Sequence, residues 1–194
     1  AGGVGGARFL RGLLHHARQT YPLVADPDRP DPLELTVIGN TGDDITLFGL
    51  RVCPDIDTLL YTLGGGIHEG QGWGRADESH HLAEELAALG AEPQWFTLGD
   101  KDFGTHVYRS QLLGQGMPLS GVVERPSARW RLAELGVRLL PLTDTPVVTH
   151  VLVEPAGQQL ARKFEYWWRG NALELVHDDA ERRLLERRLA ELES

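Results

Sequence analysis

The sequence predicts an α/β fold, a Rossmann-like parallel sheet core, from two local observations and their order. A glycine run at the N-terminus, AGGVGGARFL, leads into an amphipathic helix. A β-branched apolar stretch, LELTVIGN at 33–40, then ends on a Gly-Asn turn signal. Glycine turn, helix and strand in that order make up the first half of a right-handed β–α–β unit.

Each element has its own reason. Gly2–Gly6 is expected as a loop and 7–21 as a helix, because Phe9, Leu10, Leu13, Leu14 and Ala17 recur at helical steps with Arg8, Arg11 and Arg18 off the stripe. The segment 25–32, ADPDRPDP, is a proline- and aspartate-rich loop before the strand. CPDIDTLLYTLGG at 53–65 predicts a helix with Pro54 in its opening turn and glycines past its end. ESHHLAEELAALG at 78–90 predicts another, stopped by Gly90, with further helices at 106–116 and 118–136. The stretch 137–168 reads as strands with turns, and 178–194 as a charged amphipathic helix.

Composition bounds the function. A chain of 194 residues can build one substantial core or one domain with a large insertion. A net charge of -9 disfavours a surface that grips nucleic acid non-specifically, although backbone amides and metal ions can still bind polyanions locally. The single cysteine, Cys53, excludes an internal disulfide framework and suits a reducing cytoplasm. No apolar run reaches membrane-spanning length. The expectation is therefore a cytoplasmic protein with neither nucleic acid nor membrane as partner. A first residue other than Met, and a glycine turn without a strand ahead of it, predict a chain incomplete at its start.

The chemistry starts at the glycines. Gly2, Gly3, Gly5 and Gly6 carry no side chain to keep a ligand from the backbone amides, and the helix behind them points its positive end at an anion. Arg8 in the first turn could reach a phosphate. The Lys-Ser/Thr of a P-loop is missing, which disfavours an ordinary ATPase. NTGDD at 40–44 and CPDIDT at 53–58 then place acidic pairs at consecutive element ends. Asp43, Asp44 and Asp57 can converge on one Mg2+ beside the glycines, the ion offsetting the phosphate charge that these carboxylates would otherwise repel. Asp55 has a competing reading as a helix cap, and Asp43 and Asp44 one as a solvated turn. Asn40, Thr41, Gly64 and Gly65 are further candidate substrate contacts. Trp73, in the glycine-rich loop 61–74, could stack on a flat ligand or simply pack. Lys101 lies in LGDKDFGTH beside His106, the most plausible titrating group. His15, His16, His80 and His81 lack zinc-ligand spacing and read as solvated.

GGVGGARFLRGL, NTGDD, CPDIDTLLYTLGGGI, GWGRADES, LGDKDFGTH, RLLPLTD and EYWW, in that order, resemble the 2-phospho-L-lactate transferase family of coenzyme F-420 biosynthesis, over roughly positions 1 to 169. The resemblance implies a smaller α/β lid inserted in the Rossmann-like core. Core would then cover 1–60, a mostly helical lid 61–135, a strand-rich segment 136–170 and a C-terminal helix 171–194. It also implies transfer of a phospholactyl or phosphoenolpyruvyl group from a guanosine diphospho-donor to the deazaflavin Fo, with release of GMP, a Mg2+ requirement and a homodimer. Donor phosphates would sit at Gly2–Gly6, and the metal and the Fo side chain near Asp43, Asp44 and Asp57. On chemical grounds a carboxylate near the metal, Asp57 or Asp44, is the candidate general base. Three departures stand out. Lys101 occupies a position that is usually Arg, His68 one that is commonly a carboxylate, and nothing after Gly170 resembles the family's second Rossmann half. A non-catalytic regulator that binds a nucleotide sugar is the alternative from a related glycine-loop family.

Overall fold

The computed structural model describes residues 1–20, 34–94, 96–147 and 149, and Ala1–Val148 form one compact unit. Helix α1 spans Gly3–Thr20 and buries Ala7, Leu10, Leu14 and Ala17, one stripe at helical spacing. Phe9 and Leu13 fall outside that stripe and are exposed. The helix begins four residues before the expected start. Gly3, Gly5 and Gly6 are its first turn rather than a free loop, and the Gly3 amide is capped from outside by the Asp55 carboxylate at 2.5 Å.

Strand β1, Leu35–Gly39, pairs in parallel with β4, Val137–Pro141, from Leu35↔Val137 to Gly39↔Pro141. On the other edge of β1, the Ala1 nitrogen donates to Ile38 O at 2.5 Å and its carbonyl accepts from Asn40 N at 2.8 Å. Those two bonds are one step of a parallel ladder. The glycine turn thus leaves the sheet beside the end of β1, as a Rossmann-like α/β fold requires.

Between β1 and helix α2 (Pro54–Leu63) lies a feature the sequence reading lacks, an antiparallel hairpin of β2 (Ile45–Leu47) and β3 (Leu50–Val52). Phe48 and Gly49 make its two-residue turn with φ of 51° and 75°, positive at both positions. A Phe at the first of these hides the turn signal, since Asn or Gly is the usual occupant. Phe48 is held there by Phe103, whose ring lies 6.2 Å away.

Helix α2 is the centre of the fold. Asp55 through Leu63 are all buried, and Ile56, Leu59 and Leu60 join Ala7, Leu10, Val37, Val123, Leu132 and Leu139 in the main core. Gly39 has no side chain because one would meet Ile56 at 2.3 Å, so the end of β1 lies directly on α2.

Helix α3 runs His81–Ala88, and α4 runs Asp100–Gly114, starting six residues before the expected position. Their starts cap each other. Asp100 accepts from the His81 and Leu82 amides, and Glu78 accepts from those of Lys101 and Asp102. The segment 118–136 is not one helix. Helix α5 covers Leu119–Arg129, then left-handed Arg131 (φ 57°) breaks it before the 3-10 turn Leu132–Leu135. Past β4, the expected strands from 150 onward and the helix expected at 171–194 lie outside the described residues. No described helix is long and apolar enough to cross a membrane.

Candidate functional site

The site forms where the first turn of α1, the 40–44 turn and the first turn of α2 meet at the C-terminal end of β1, the edge at which parallel α/β sheets bind ligands. Asp55 is its hub. One carboxylate oxygen takes the Gly3 amide at 2.5 Å, and the other takes the Asn40 amide group at 2.7 Å. Asn40 in turn accepts from the Gly42 amide at 3.1 Å, which shapes the turn. Gly2 packs against this carboxylate so closely that a side chain there would lie 2.7 Å from Oδ2.

Asp43 and Asp44 occupy different settings. Burial and the neighbouring Asp55 carboxylate push the half-buried Asp43 carboxyl up from its ordinary value. Asp44 is buried; its Oδ2 accepts from the Cys53 thiol at 3.2 Å and from Arg51 at 3.3 Å. Its Oδ1 has no hydrogen-bond partner among the described residues. Burial also pushes the Asp44 carboxyl up, more than Cys53 and Arg51 hold it down. Asp44 and Thr41 line a groove of about 460 Å3 together with Thr46, Arg51, Leu113, Met117, Pro118 and Leu119.

Asp57 points elsewhere, into a buried network. Its Oδ2 accepts from Arg109 Nη1 at 3.0 Å, and its Oδ1 accepts from Arg109 Nη2. His106 Nδ1 lies 3.1 Å from the same Nη1, and Tyr61 donates to Asp102 at 2.5 Å. Ligand atoms of Asp57, Asp102 and His106 lie within 4.8 Å of one another, close enough for a metal ion, but the Arg109 guanidinium already supplies a cation there. Burial opposes the charge on Arg109, yet Asp57 beside it holds its pKa above the ordinary value. Burial likewise raises Asp102, but His106, Tyr61 and Arg109 outweigh this and leave it lowered. Burial, then the two aspartates, push the Tyr61 hydroxyl up.

The remaining candidates are spread over the neighbouring surface. Arg8 is exposed and lies against Gly72. Gly64 packs on Trp130, where an added side chain would approach to 2.8 Å, whereas Gly65 faces open space with φ of 76°. Trp73 stacks on Phe96 at 6.2 Å, with a face still exposed. Lys101 is exposed and its ammonium donates to the Asp77 carbonyl. His106 is buried to 1% exposure.

Sequence reasoning missed Arg109. Its signal was present, because Asp102, His106 and Arg109 recur at helical spacing along a face that also buries Phe103 and Leu112.

The comparisons with known proteins bear on this geometry. A family model described as 2-phospho-L-lactate transferase CofD matches residues 1–177. The chain is 57% identical over 171 residues to a phosphoenolpyruvate transferase of Thermobifida fusca, covering 87% of this chain and 50% of that protein. It is 58% identical over 168 residues to one of Streptomyces coelicolor, covering 87% and 48%, and 49% identical over 169 residues to one of Mycobacterium sp. (strain KMS), covering 86% and 50%. The chain spans about half the length of these curated relatives.

Proposed function

This chain belongs to the 2-phospho-L-lactate transferase CofD family, and from that premise we propose that it is part of a Mg2+-dependent transferase of coenzyme F-420 biosynthesis. The whole protein moves a phosphoenolpyruvyl or phospholactyl group from a guanosine diphospho-donor to the deazaflavin Fo and releases GMP. One observation supports this most. The Asp55 carboxylate joins the Gly3 amide to Asn40, with Asp43 beside it, at the mouth of the glycine turn.

Carboxylate oxygens are hard donors, and the Asp43 and Asp55 carboxylates lie close enough that one raises the other's pKa, so this pair fits a Mg2+ shared with substrate phosphates. Asp43 and Asp55 would hold it, with the donor's phosphates completing its shell. Bound there, the ion supplies the positive charge that offsets the donor's diphosphate.

The chain's own groups account for the rest. With the Gly3 amide held by Asp55, the Val4 and Gly5 amides in the first turn of α1 are the ones that would meet the donor phosphates, aided by the helix dipole. The groove beside Thr41 and Asp44 takes the acceptor, its apolar wall at Leu113 and Met117 suited to a flat ring. A hydroxyl of the acceptor side chain attacks the phosphorus that carries the three-carbon acid. The new O–P bond forms as the bond to GMP breaks, GMP leaves with the electron pair, and Asp44 takes the hydroxyl proton. A raised carboxyl pKa favours that role, because it brings the base closer to working pH.

The test is GMP release by the protein of the relatives' full length carrying this sequence, supplied with Fo, Mg2+ and the lactyl or enolpyruvyl diphosphoguanosine donor. Asp44→Asn is expected to lower kcat by roughly 10²–10⁴-fold with the fold intact. Absence of GMP release from the parent would overturn the reading.

A further inference from the structure

We propose that Asp57 and Arg109 are a resident ion pair whose task is to set the first turn of α2, which makes Asp57 a positioning residue. The proposal rests on the reading above only in naming Asp55 as the group being positioned.

Two residues apart on a helix are about 200° apart around its axis. Asp55 therefore faces α1 and β1, where it holds Gly3 and Asn40, while Asp57 faces α4. The same turn is pinned from both sides. Asp57 and Tyr61, one helical turn apart on α2, meet Arg109 and Asp102 on α4. Arg109 Nη1 also reaches the Arg51 carbonyl at 3.3 Å, which brings β3 into the same clamp.

Within the network His106 Nδ1 lies 3.1 Å from Arg109 Nη1, and its Nε2 faces Asp102 Oδ2 at 3.6 Å with no hydrogen-bond partner among the described residues. A metal ion among Asp57, Asp102 and His106 would have to displace a guanidinium only 2% exposed, and strand that charge without a partner. Both Asp57 oxygens are already taken by the fork. Removing either partner leaves an uncompensated buried charge, and relieving it requires α2 to turn or shift. That movement carries Asp55 away from Gly3.

The experiment is a double-mutant cycle on this chain with Asp57→Asn, Arg109→Gln and the pair combined, followed by melting temperature and the Gly3 amide proton by NMR. A 2.5 Å bond to a carboxylate places that proton far downfield, and a role confined to stability would not move it. Each single change is expected to lower Tm by about 10 °C and to shift the Gly3 proton upfield. The double variant, with two neutral amides facing each other, returns most of both. Arg109→Lys keeps the charge without the fork and falls between, which preserves the test if a single variant fails to fold.

Additive losses, or a Gly3 proton unmoved in the singles, would overturn the proposal. A Mn2+ titration supplies the second arm. Asp55→Asn should abolish binding, and the Asp57/Arg109 double variant should bind within about threefold of the parent, roughly 0.65 kcal/mol. Loss of binding in Asp57→Asn without rescue in the double would make Asp57 a ligand and end the proposal. A parent that binds no Mn2+ counts against the functional reading alone, because the Gly3 and Tm cycle still decides the ion pair.

Discussion

Two acidic clusters flank the same turn of α2, and they differ in where their positive charge comes from. On one side Asp43, Asp44 and Asp55 crowd the glycine turn. Arg51 pairs with Asp44, which Arg109 also holds down, while burial and the Asp55 carboxylate push Asp43 up. On the other side Asp57 and Asp102 share a buried Arg109, a histidine and a tyrosine. Residue type does not separate the two. Among the described residues one cluster holds a buried guanidinium and the other has only Arg51 at its edge, the difference expected between a structural cluster and a ligand site.

The sharpest way to break that comparison is to remove the cation the chain provides. Arg109→Met strands Asp57 in the core and is expected to cost about 3–5 kcal/mol, whereas Asp43→Asn should change stability by only about 0.5 kcal/mol or improve it. Urea unfolding of the two variants measures both. Equal losses would mean that the clusters are not different in kind.

Next in size is Tyr61→Phe, which deletes the hydroxyl bonded to Asp102 and keeps the ring against Trp130. The expected loss is about 1–3 kcal/mol, because a buried carboxylate loses a short donor. A loss below about 0.5 kcal/mol would show that the network is held by Asp57 and Arg109 alone.

Part of this difference was readable in the sequence. The stripe of α1, the strand 35–39 and Pro54 opening α2 all follow local periodicity and turn chemistry, and they suffice to bring the glycine turn to the acidic residues. The hairpin at 45–52 did not show, because its turn relies on Phe48 in a left-handed conformation that packing against Phe103, Leu47, Val52 and Leu98 makes tolerable. Nor did the division between Asp55 and Asp57. Both lie in one short motif, and which one meets the glycines depends on how α2 is rotated against α4. That rotation is fixed by Arg109, 52 positions beyond Asp57. Spacing and the family resemblance both group Asp57 with Asp43 and Asp44, and neither carries the rotation of α2.

pH separates the clusters by sign. The Asp44 pKa is raised, so its favourable contribution is fully present below the unfolded value of 3.8 and is lost as pH rises through the folded value. Asp102 is lowered, so its contribution is present above 3.8 and is lost as pH falls through its folded value. Asp44→Asn should therefore flatten the decline in stability on the alkaline side of 3.8, and Asp102→Asn the decline on the acid side. Thermal melts from pH 3 to pH 7 read both slopes. Matching slopes in the two variants would contradict the assignment.

The smallest expected effect is the most direct on charge supply. If only the glycine-turn cluster lacks a cation, then Mg2+ added from outside should stabilise the folded chain through that cluster alone. A ligand that binds only the folded state at ten times its dissociation constant contributes about 1.4 kcal/mol, or a rise in Tm of roughly 3–5 °C for a chain of this size. NaCl at matched ionic strength controls for screening. The rise should vanish in Asp43→Asn and in Asp55→Asn, whose carboxylates lie together at the turn. It should persist in Tyr61→Phe, which disturbs only the network behind α2. A rise lost in Tyr61→Phe but kept in Asp43→Asn would place the ion among Asp57, Asp102 and His106, and would reverse the roles of the two clusters.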